Sequence, residues 1–231
     1  AILPAAGSGE RMRSKIDKPF MRLRKHEIIY YSLRVLEDSP VVSEIIIAVK
    51  DENMPRVKKL IKRECFKKVK NIVRGGRKRA QSVFNALLSV SEDADFVLIH
   101  DAARPFITQK IIRDTVNAAK RYGASLSAVN VLPTVKEAGI KGGFVKKTLD
   151  RRFLWQAQTP QVIKKDILLS AYKRIGKSFN NFTDEVSLVE AIGGSVKIVK
   201  GSYGNIKITK PEDIAIAEAL LKVKNKNCCR V

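Results

Sequence analysis

Unbroken apolar runs alternate with apolar residues at helical spacing through the first half of the chain. Ala1 to Pro4 is a short apolar run, Ile45-Ile46-Ile47-Ala48-Val49 and Phe96-Val97-Leu98-Ile99 are continuous ones, and Val69 to Arg74 reads as a further strand ending in Gly75-Gly76. Runs of this kind belong to strands covered on both faces. Between them lie helix-spaced sets: Ile29, Leu33 and Leu36 before the Ser39-Pro40 break; Val57, Leu60 and Ile61; Ala80, Val83, Leu87 and Leu88; and Ile111, Ile112 and Val116. Asn53 is placed to cap the second helix with Pro55 in its first turn, Thr108 to cap the fourth, and Gly123 to close it. The alternation predicts an α/β protein with a doubly wound, mostly parallel sheet.

Past a strand over Ser125 to Val131 the rhythm changes. Between Thr134 and Thr148, Gly139, Gly142 and Gly143 separate the short alternating segments Val135-Lys136-Glu137 and Phe144-Val145-Lys146, a hairpin pattern with little core of its own. A ribbon so poor in apolar residues is marginal alone, so residues 132–152 are expected to form an arm that leans on a second subunit. The pattern then returns to core-building within the same single domain, 1–231. Ile167, Leu168 and Ala171 give a helix ended by Gly176. Thr183-Asp184-Glu185 starts another, closed by Gly193-Gly194, and Val196 to Val199 makes a strand. Asn205-Ile206-Lys207-Ile208 reads as a last short strand, Thr209-Lys210-Pro211-Glu212 as a capping box before a helix with Ile214, Ala217, Leu220 and Leu221 on its face, and Lys222 to Val231 as a frayed basic tail.

Composition changes this picture little. The chain has 231 residues, enough for a substantial core without staples, and no apolar run of membrane-spanning length. Its 45 basic and 23 acidic residues give a formal net charge of +22. That excess would suit a polyanion, yet the basic residues are dispersed without an arginine tract or basic–aromatic alternation, so a nucleic-acid partner is not expected. Cys65, Cys228 and Cys229 form no disulfide framework and no metal spacing, and His26 and His100 are isolated. A reducing cytoplasm fits these thiols. The sequence opens without methionine and inside a strand, which leaves room for upstream residues, a targeting segment among them.

Ligands of open α/β sheets bind beyond the carboxyl ends of the strands. After the first strand comes Ala5-Ala6-Gly7-Ser8-Gly9 with Arg11 and Lys18. After the third come Gly75-Gly76, Arg79 and Ser82, and after the fourth Asp101-Ala102-Ala103-Arg104-Pro105. These three strand ends are expected to meet in one cleft. Small residues let backbone N–H groups approach phosphate oxygens, and Arg11 and Lys18 can neutralise them. The first loop matches neither G-x-G-x-x-G, because Met12 stands at the last glycine position, nor the P-loop pattern, which argues against NAD and P-loop ATP hydrolysis. His100 reads as a strand-end residue rather than a base.

Six segments together carry a more specific resemblance: P-A-A-G-S-G-E-R-M with Lys18, G-G-R-K-R-A-Q-S-V at 75–83, H-D-A-A-R-P at 100–105, D-R-R-F-L-W-Q-A-Q-T-P-Q at 150–161, T-D-E at 183–185 and N-I-K-I-T-K-P-E-D at 205–213. In that order, over essentially the whole chain, they resemble the 2-C-methyl-D-erythritol 4-phosphate cytidylyltransferases of the nucleotidyltransferase superfamily. The resemblance implies a Rossmann-like sheet of the nucleotide-diphospho-sugar transferase type with a protruding β-arm, and transfer of the cytidylyl group of CTP to a sugar phosphate. It implies Arg11, Lys18 and Lys207 as the catalytic cations. Nucleotide binding would fall to Ala5, Ala6, Gly7, Ser8, Gly9, Gly75, Gly76 and Ser82, and acceptor binding to Asp101, Arg104, Thr134 and Arg151. A Mg²⁺ would be held mainly by CTP phosphates, with no protein ligand assigned, and the arm would form a homodimer. The nearest alternative is a ribitol- or other polyol-phosphate cytidylyltransferase; Arg151 favours methylerythritol phosphate. Two positions depart from the family pattern: Pro19, where glutamine is commoner, and Arg77, where an acidic or amide residue often follows the glycines.

Overall fold

The computed structural model describes residues 1–7, 16–139 and 143–228. In chain order its elements are β1 (Ile2–Pro4), β2 (Arg22–Leu23), β3 (His26–Glu27), α1 (Ile28–Glu37), β4 (Ile45–Val49), α2 (Met54–Glu64), β5 (Val69–Arg74), α3 (Arg79–Leu87), β6 (Phe96–Ile99), α4 (Gln109–Tyr122) and β7 (Ala124–Asn130), then β8 (Val135–Ala138), β9 (Val145–Leu149), β10 (Trp155–Lys164), α5 (Lys165–Ile175), α6 (Glu185–Ala191), β11 (Lys197–Lys200) and α7 (Glu212–Cys228). Seven strands form one sheet in the order β11-β7-β10-β6-β1-β4-β5. Only β10 runs against its neighbours, antiparallel to both β6 and β7.

The apolar runs work as two-faced strands. Ile45, Ile47 and Val49 join one core cluster with α1, α2 and α4, while Ile46 and Ala48 join the opposite one with α3, α5 and α6. Leu98 against Val97 and Ile99 repeats the division, as a period of two requires. A third cluster, Leu23, Ile28, Phe106, Ile208, Ala217 and Leu221, seats α7 against the β2–β3 hairpin. Gly123, at φ +84°, closes α4 after Thr108 has accepted the Ile111 N–H at its start.

Several expectations are corrected. Residues 155–164, not foreseen as a strand, form β10 in the middle of the sheet; their Gln158, Thr159 and Gln161 hide the pattern because these polar side chains are buried with partners inside the fold. Asn205 to Ile208 is an extended loop rather than a strand, tied by the Asn205 amide to the Thr159 carbonyl at 2.9 Å and by the Ile208 N–H to the Ala103 carbonyl at 2.9 Å. The box before α7 closes through Asp213, not Glu212: its carboxylate accepts the Thr209 and Lys210 N–H groups at 2.7 and 2.9 Å. That helix runs on to Cys228 where a frayed tail was expected from Lys222, since no glycine or proline interrupts it. Asn53 starts α2 without capping it, because its amide donates to Asp17 at 2.6 Å instead. Leu88, expected in the core, is 65% exposed.

The ribbon exists as predicted: β8 and β9 pair antiparallel as a separate two-stranded sheet. Its turn at 140–142 lies outside the described residues.

At the end of β6, His100 is fully buried. The Thr159 hydroxyl accepts the Asp101 N–H at 3.1 Å, so its own proton points to His100 Nδ1 at 2.9 Å, and Nε2 donates to the Arg104 carbonyl at 3.1 Å. These bonds suit a neutral ring with its proton on Nε2, and burial pulls the pKa down to about 4. His100 is therefore a joint between β6, β10 and the loop at 101–104.

Ile47→Ala, at a fully buried position, is expected to lower unfolding stability by about 2–5 kcal/mol, whereas Leu88→Ala should stay within about 0.5 kcal/mol; urea midpoints at constant slope measure both. His100 takes its proton more readily in the unfolded chain than in the fold. Stability should therefore fall as pH drops below the ordinary histidine value toward 4, through this group by about 2 kcal/mol between pH 7 and 5. His100→Asn should flatten that slope in urea titrations at the two pH values.

Candidate active site

The carboxyl ends of β1, β5 and β6 open on one cavity of about 340 Å³. From β1 come Pro4 to Gly7, from the turn after β5 come Gly76 to Arg79, and from the loop after β6 come Asp101 to Ala103. Lys18 and Pro19 close one side, Lys207 and Thr209 another. The convergence of three strand ends on one cleft is as the sequence predicts.

Close backbone packing shapes the side built by the β1 and β5 loops. A Cβ on Gly75 would sit 2.2 Å from that of Ala6, so the β5 turn can lie against the β1 loop only as glycine. The Ser82 hydroxyl accepts the Gly76 N–H at 3.0 Å and is itself 2% exposed, so it fixes this turn as well as lining the cavity. Gly75 stands behind the lining; Ala5, Ala6, Gly7, Gly76 and Ser82 form part of it. Ser8, Gly9 and Arg11 lie outside the described residues. Arg77, one of the two departures from the family pattern, lines the cavity, as does Pro19.

Lys18 opens a short 3-10 turn whose Phe20 is buried. The Asp17 carboxylate before it takes Lys50 Nζ at 2.8 Å and the Asn53 amide at 2.6 Å, and Arg56 donates to the Phe20 carbonyl at 2.7 Å. These contacts fix the point where the chain re-enters the cleft. The diversion of Asn53 from capping serves this anchor.

Asp101 is the centre of charge. It is 6% exposed and receives Lys207 Nζ at 2.7 Å and Arg79 Nε at 3.1 Å, with Arg104 Nε 3.5 Å away as an ion pair without a hydrogen bond. Burial alone would raise its pKa, but the charges of Arg79, Lys207 and Arg104 outweigh burial and hold the carboxyl well below the usual range. Arg79 also reaches Glu185 with Nη1 at 2.5 Å. Burial pushes the Glu185 carboxyl upward, with Arg79 opposing.

Lys207 is placed from behind by β10. Gln158 donates to the Ser202 carbonyl at 2.8 Å, and the Asn205 carbonyl accepts Arg104 Nη1 at 2.8 Å. The loop carrying Lys207 is thus laced both to β10 and to the loop carrying Asp101. A second hollow of about 350 Å³, lined by Arg104, Gln156, Gln158, Tyr203 and Asn205, shares Lys207 and Thr209 with the first.

Of the residues expected to bind the acceptor, Asp101 lines the first cavity and Arg104 the second; Thr134 and Arg151 line neither. Both are exposed at the foot of the ribbon, where Arg151 Nη1 donates to the Leu132 carbonyl. Sequence reasoning noticed Arg79 at a strand end without giving it a role, and read Thr183-Asp184-Glu185 mainly as a helix start with room for a supporting role at the site. Across a separation of 106 positions the sequence carries no local signal that the two side chains meet.

What the site can do is hold a strongly anionic ligand. Lys18, Arg77, Lys78, Arg79 and Lys207 surround a cavity whose lining contains one carboxylate, Asp101, among the described residues.

A family profile described as 2-C-methyl-D-erythritol 4-phosphate cytidylyltransferase matches residues 1–223. A protein of that name from Bacillus cereus is 42% identical over 225 residues, 97% of this chain and 98% of the relative. One from Clostridium novyi is 42% identical over 223 residues, covering 96% of each. Among solved structures, the 4-diphosphocytidyl-2C-methyl-D-erythritol synthase of Anaerococcus prevotii superposes with a TM-score of 0.84 at 29% identity, over 96% of this chain and 94% of that one. The chain belongs to the 2-C-methyl-D-erythritol 4-phosphate cytidylyltransferase family.

Proposed function

We propose that this protein transfers the cytidylyl group of CTP to 2-C-methyl-D-erythritol 4-phosphate, giving 4-diphosphocytidyl-2-C-methyl-D-erythritol and pyrophosphate. An oxygen of the acceptor phosphate forms the new bond to the α-phosphorus while the bond from that phosphorus to the pyrophosphate oxygen breaks, in line with the attack. The observation that carries the reading is the junction of the two hollows at Lys207. One hollow is lined by the nucleotide-loop residues and Lys18, the other by Arg104 and β10.

The chemistry needs little covalent help from the protein, because two anions must meet and spread charge over a crowded phosphorus. Lys18 and Arg11 hold the triphosphate, and Lys207, at the boundary between the hollows, meets the α-phosphate. Ala5, Ala6, Gly76 and Ser82 border the base. Asp101 accepts from acceptor hydroxyls while it keeps Lys207 in place, and Arg104 faces the acceptor phosphate.

Among the described residues no group of three carboxylate, histidine or cysteine side chains is placed to hold a metal ion. Asp101 is already engaged by three cations. A Mg²⁺ or other divalent ion would be held chiefly through CTP phosphates, with no protein ligand assigned to it. Such an ion, when bound, neutralises charge on the triphosphate.

The ribbon is assigned to a homodimer contact. Phe144 is 96% exposed and Phe153 78%, large apolar side chains at the two ends of a ribbon without a core of its own. Thr134 and Arg151 at its foot then serve the neighbouring subunit's acceptor site. Among the described residues no helix is long and apolar enough to cross a membrane. The cytoplasm is the compartment proposed.

Lys18→Ala and Lys207→Ala are each expected to lower kcat by about 10²-fold or more, followed by pyrophosphate release with CTP and a panel of polyol phosphates. Normal turnover in both, or a preference for another polyol phosphate, overturns the assignment. The full chain should sediment as a dimer and a chain lacking 135–148 as a monomer. If Arg151 acts across the dimer, mixing inactive Lys207→Ala and Arg151→Ala chains should restore activity through the one intact site in each mixed dimer, and no restoration would place Arg151 elsewhere.

A further inference from the structure

Glu185 is a fully buried carboxylate that the reaction does not touch. It sits at the first position of α6, yet that helix start is complete without its side chain. The Asp184 carboxylate accepts the Ser187 N–H at 3.1 Å, and Gln161 of β10 accepts the Glu185 N–H through Oε1 and donates to Asp184 through Nε2, at 3.1 and 3.0 Å. Glu185 does not line the cavity; Arg79 does.

We infer that Glu185 is a positioning residue for cytidylyl transfer, aiming Arg79 from behind so that Arg79 fixes the Asp101 carboxylate and, through it, the seat of Lys207. The geometry is a chain of single contacts: Glu185 Oε2 to Arg79 Nη1 at 2.5 Å, Arg79 Nε to Asp101 Oδ1 at 3.1 Å, Asp101 Oδ2 to Lys207 Nζ at 2.7 Å. Each carboxylate oxygen of Asp101 serves a different cation, so turning Arg79 turns the carboxylate and displaces the ammonium on its other side. The planar guanidinium meets the two carboxylates through different nitrogens, Nη1 and Nε, and so holds them in a fixed relation that a single ammonium nitrogen does not impose.

Charge supports the same arrangement. Arg79, Arg104 and Lys207 are three cations around Asp101, and Glu185, whose ionisation burial opposes and Arg79 favours, is the second acidic group beside them. Without it, Asp101 alone faces all three. A purely stabilising role is a weaker explanation, because a buried ion pair seldom stabilises more than the apolar residues that could replace it. Specific aim is what such a pair supplies here.

This link rests on Lys207 acting at the α-phosphate, and the test separates the two. Glu185→Gln keeps an acceptor for Arg79 and places its amide at Oε1, which has no hydrogen-bond partner among the described residues. The amide hydrogens are left without an acceptor there, so the variant should fold with a lowered melting temperature. Its kcat is expected to fall about 10-fold with the KM for CTP changed less than about 3-fold, and the effect should vanish in a Lys207→Gln background, as expected for residues acting as one unit. Single-turnover pyrophosphate release measures all four members of the cycle. Equal effects of Glu185→Gln in both backgrounds, or wild-type turnover, overturn the link while leaving Lys207 in its role; an unimpaired Lys207→Gln overturns that role and the link with it. Arg79→Lys, which keeps the charge but loses the fixed pair of donors, gives a second reading should Glu185→Gln not fold. A loss of kcat like that expected for Glu185→Gln supports the link, and normal turnover overturns it.

Discussion

A site built to receive a triphosphate must hold cations together before the ligand arrives, and those cations repel. At an effective dielectric near 20, two like charges about 4 Å apart cost about 4 kcal/mol. Asp101 answers this constraint: one carboxylate at the end of β6 gathers Arg79, Arg104 and Lys207 from three parts of the chain. The rest of the site can be understood as the means of holding that carboxylate. Thr159 takes its N–H, His100 stays neutral behind it, and β10 supports the loop that brings Lys207. A charged histidine there would add a fourth positive group to an already crowded set.

The division of labour between strands follows from which residues are polar. β1, β4 and β6 are apolar on both faces and work only as walls, delivering their loops at one edge of the sheet. β10 carries glutamines and a threonine into the same layer, where Gln158 holds the Ser202 loop, Thr159 holds Asp101 and His100, and Gln161 holds the start of α6. Burying so many polar groups is tolerable because their hydrogen bonds are made.

This explains what could be read from the chain alone. Strands that are only walls announce themselves as apolar runs, and helices facing them as apolar residues at helical spacing; the first half of the fold was legible for that reason. β10 was not, because its sequence records duties toward loops rather than burial. Asn205 to Ile208 looked like a strand because polar and apolar residues alternate, yet the buried residues are Asn205 and Ile208, with Ile206 and Lys207 half-buried between them, which is not the period of a strand in a sheet. The site divides the same way. Loops after strands were visible, since glycine and small residues there have a local reason. The bridge from Arg79 to Glu185 was invisible, because nothing within either helix requires it. Leu88 shows the converse error: a helical period continued one residue past the turn that ends the helix.

The placement of β10 also has a consequence for the order in which this chain can become a protein. β6 is complete at residue 99 and β7 at residue 130, but they are not neighbours; the strand that joins them ends at residue 164, after the ribbon has been made. Until then the growing chain holds a four-stranded half, β5-β4-β1-β6, with an apolar edge at Val97-Leu98-Ile99, and a slot of one strand's width beside β7. On a ribosome that edge stays unpaired while some 65 further residues emerge. The nucleotide half of the site can therefore take shape first, and the acceptor half only when the last central strand slides home.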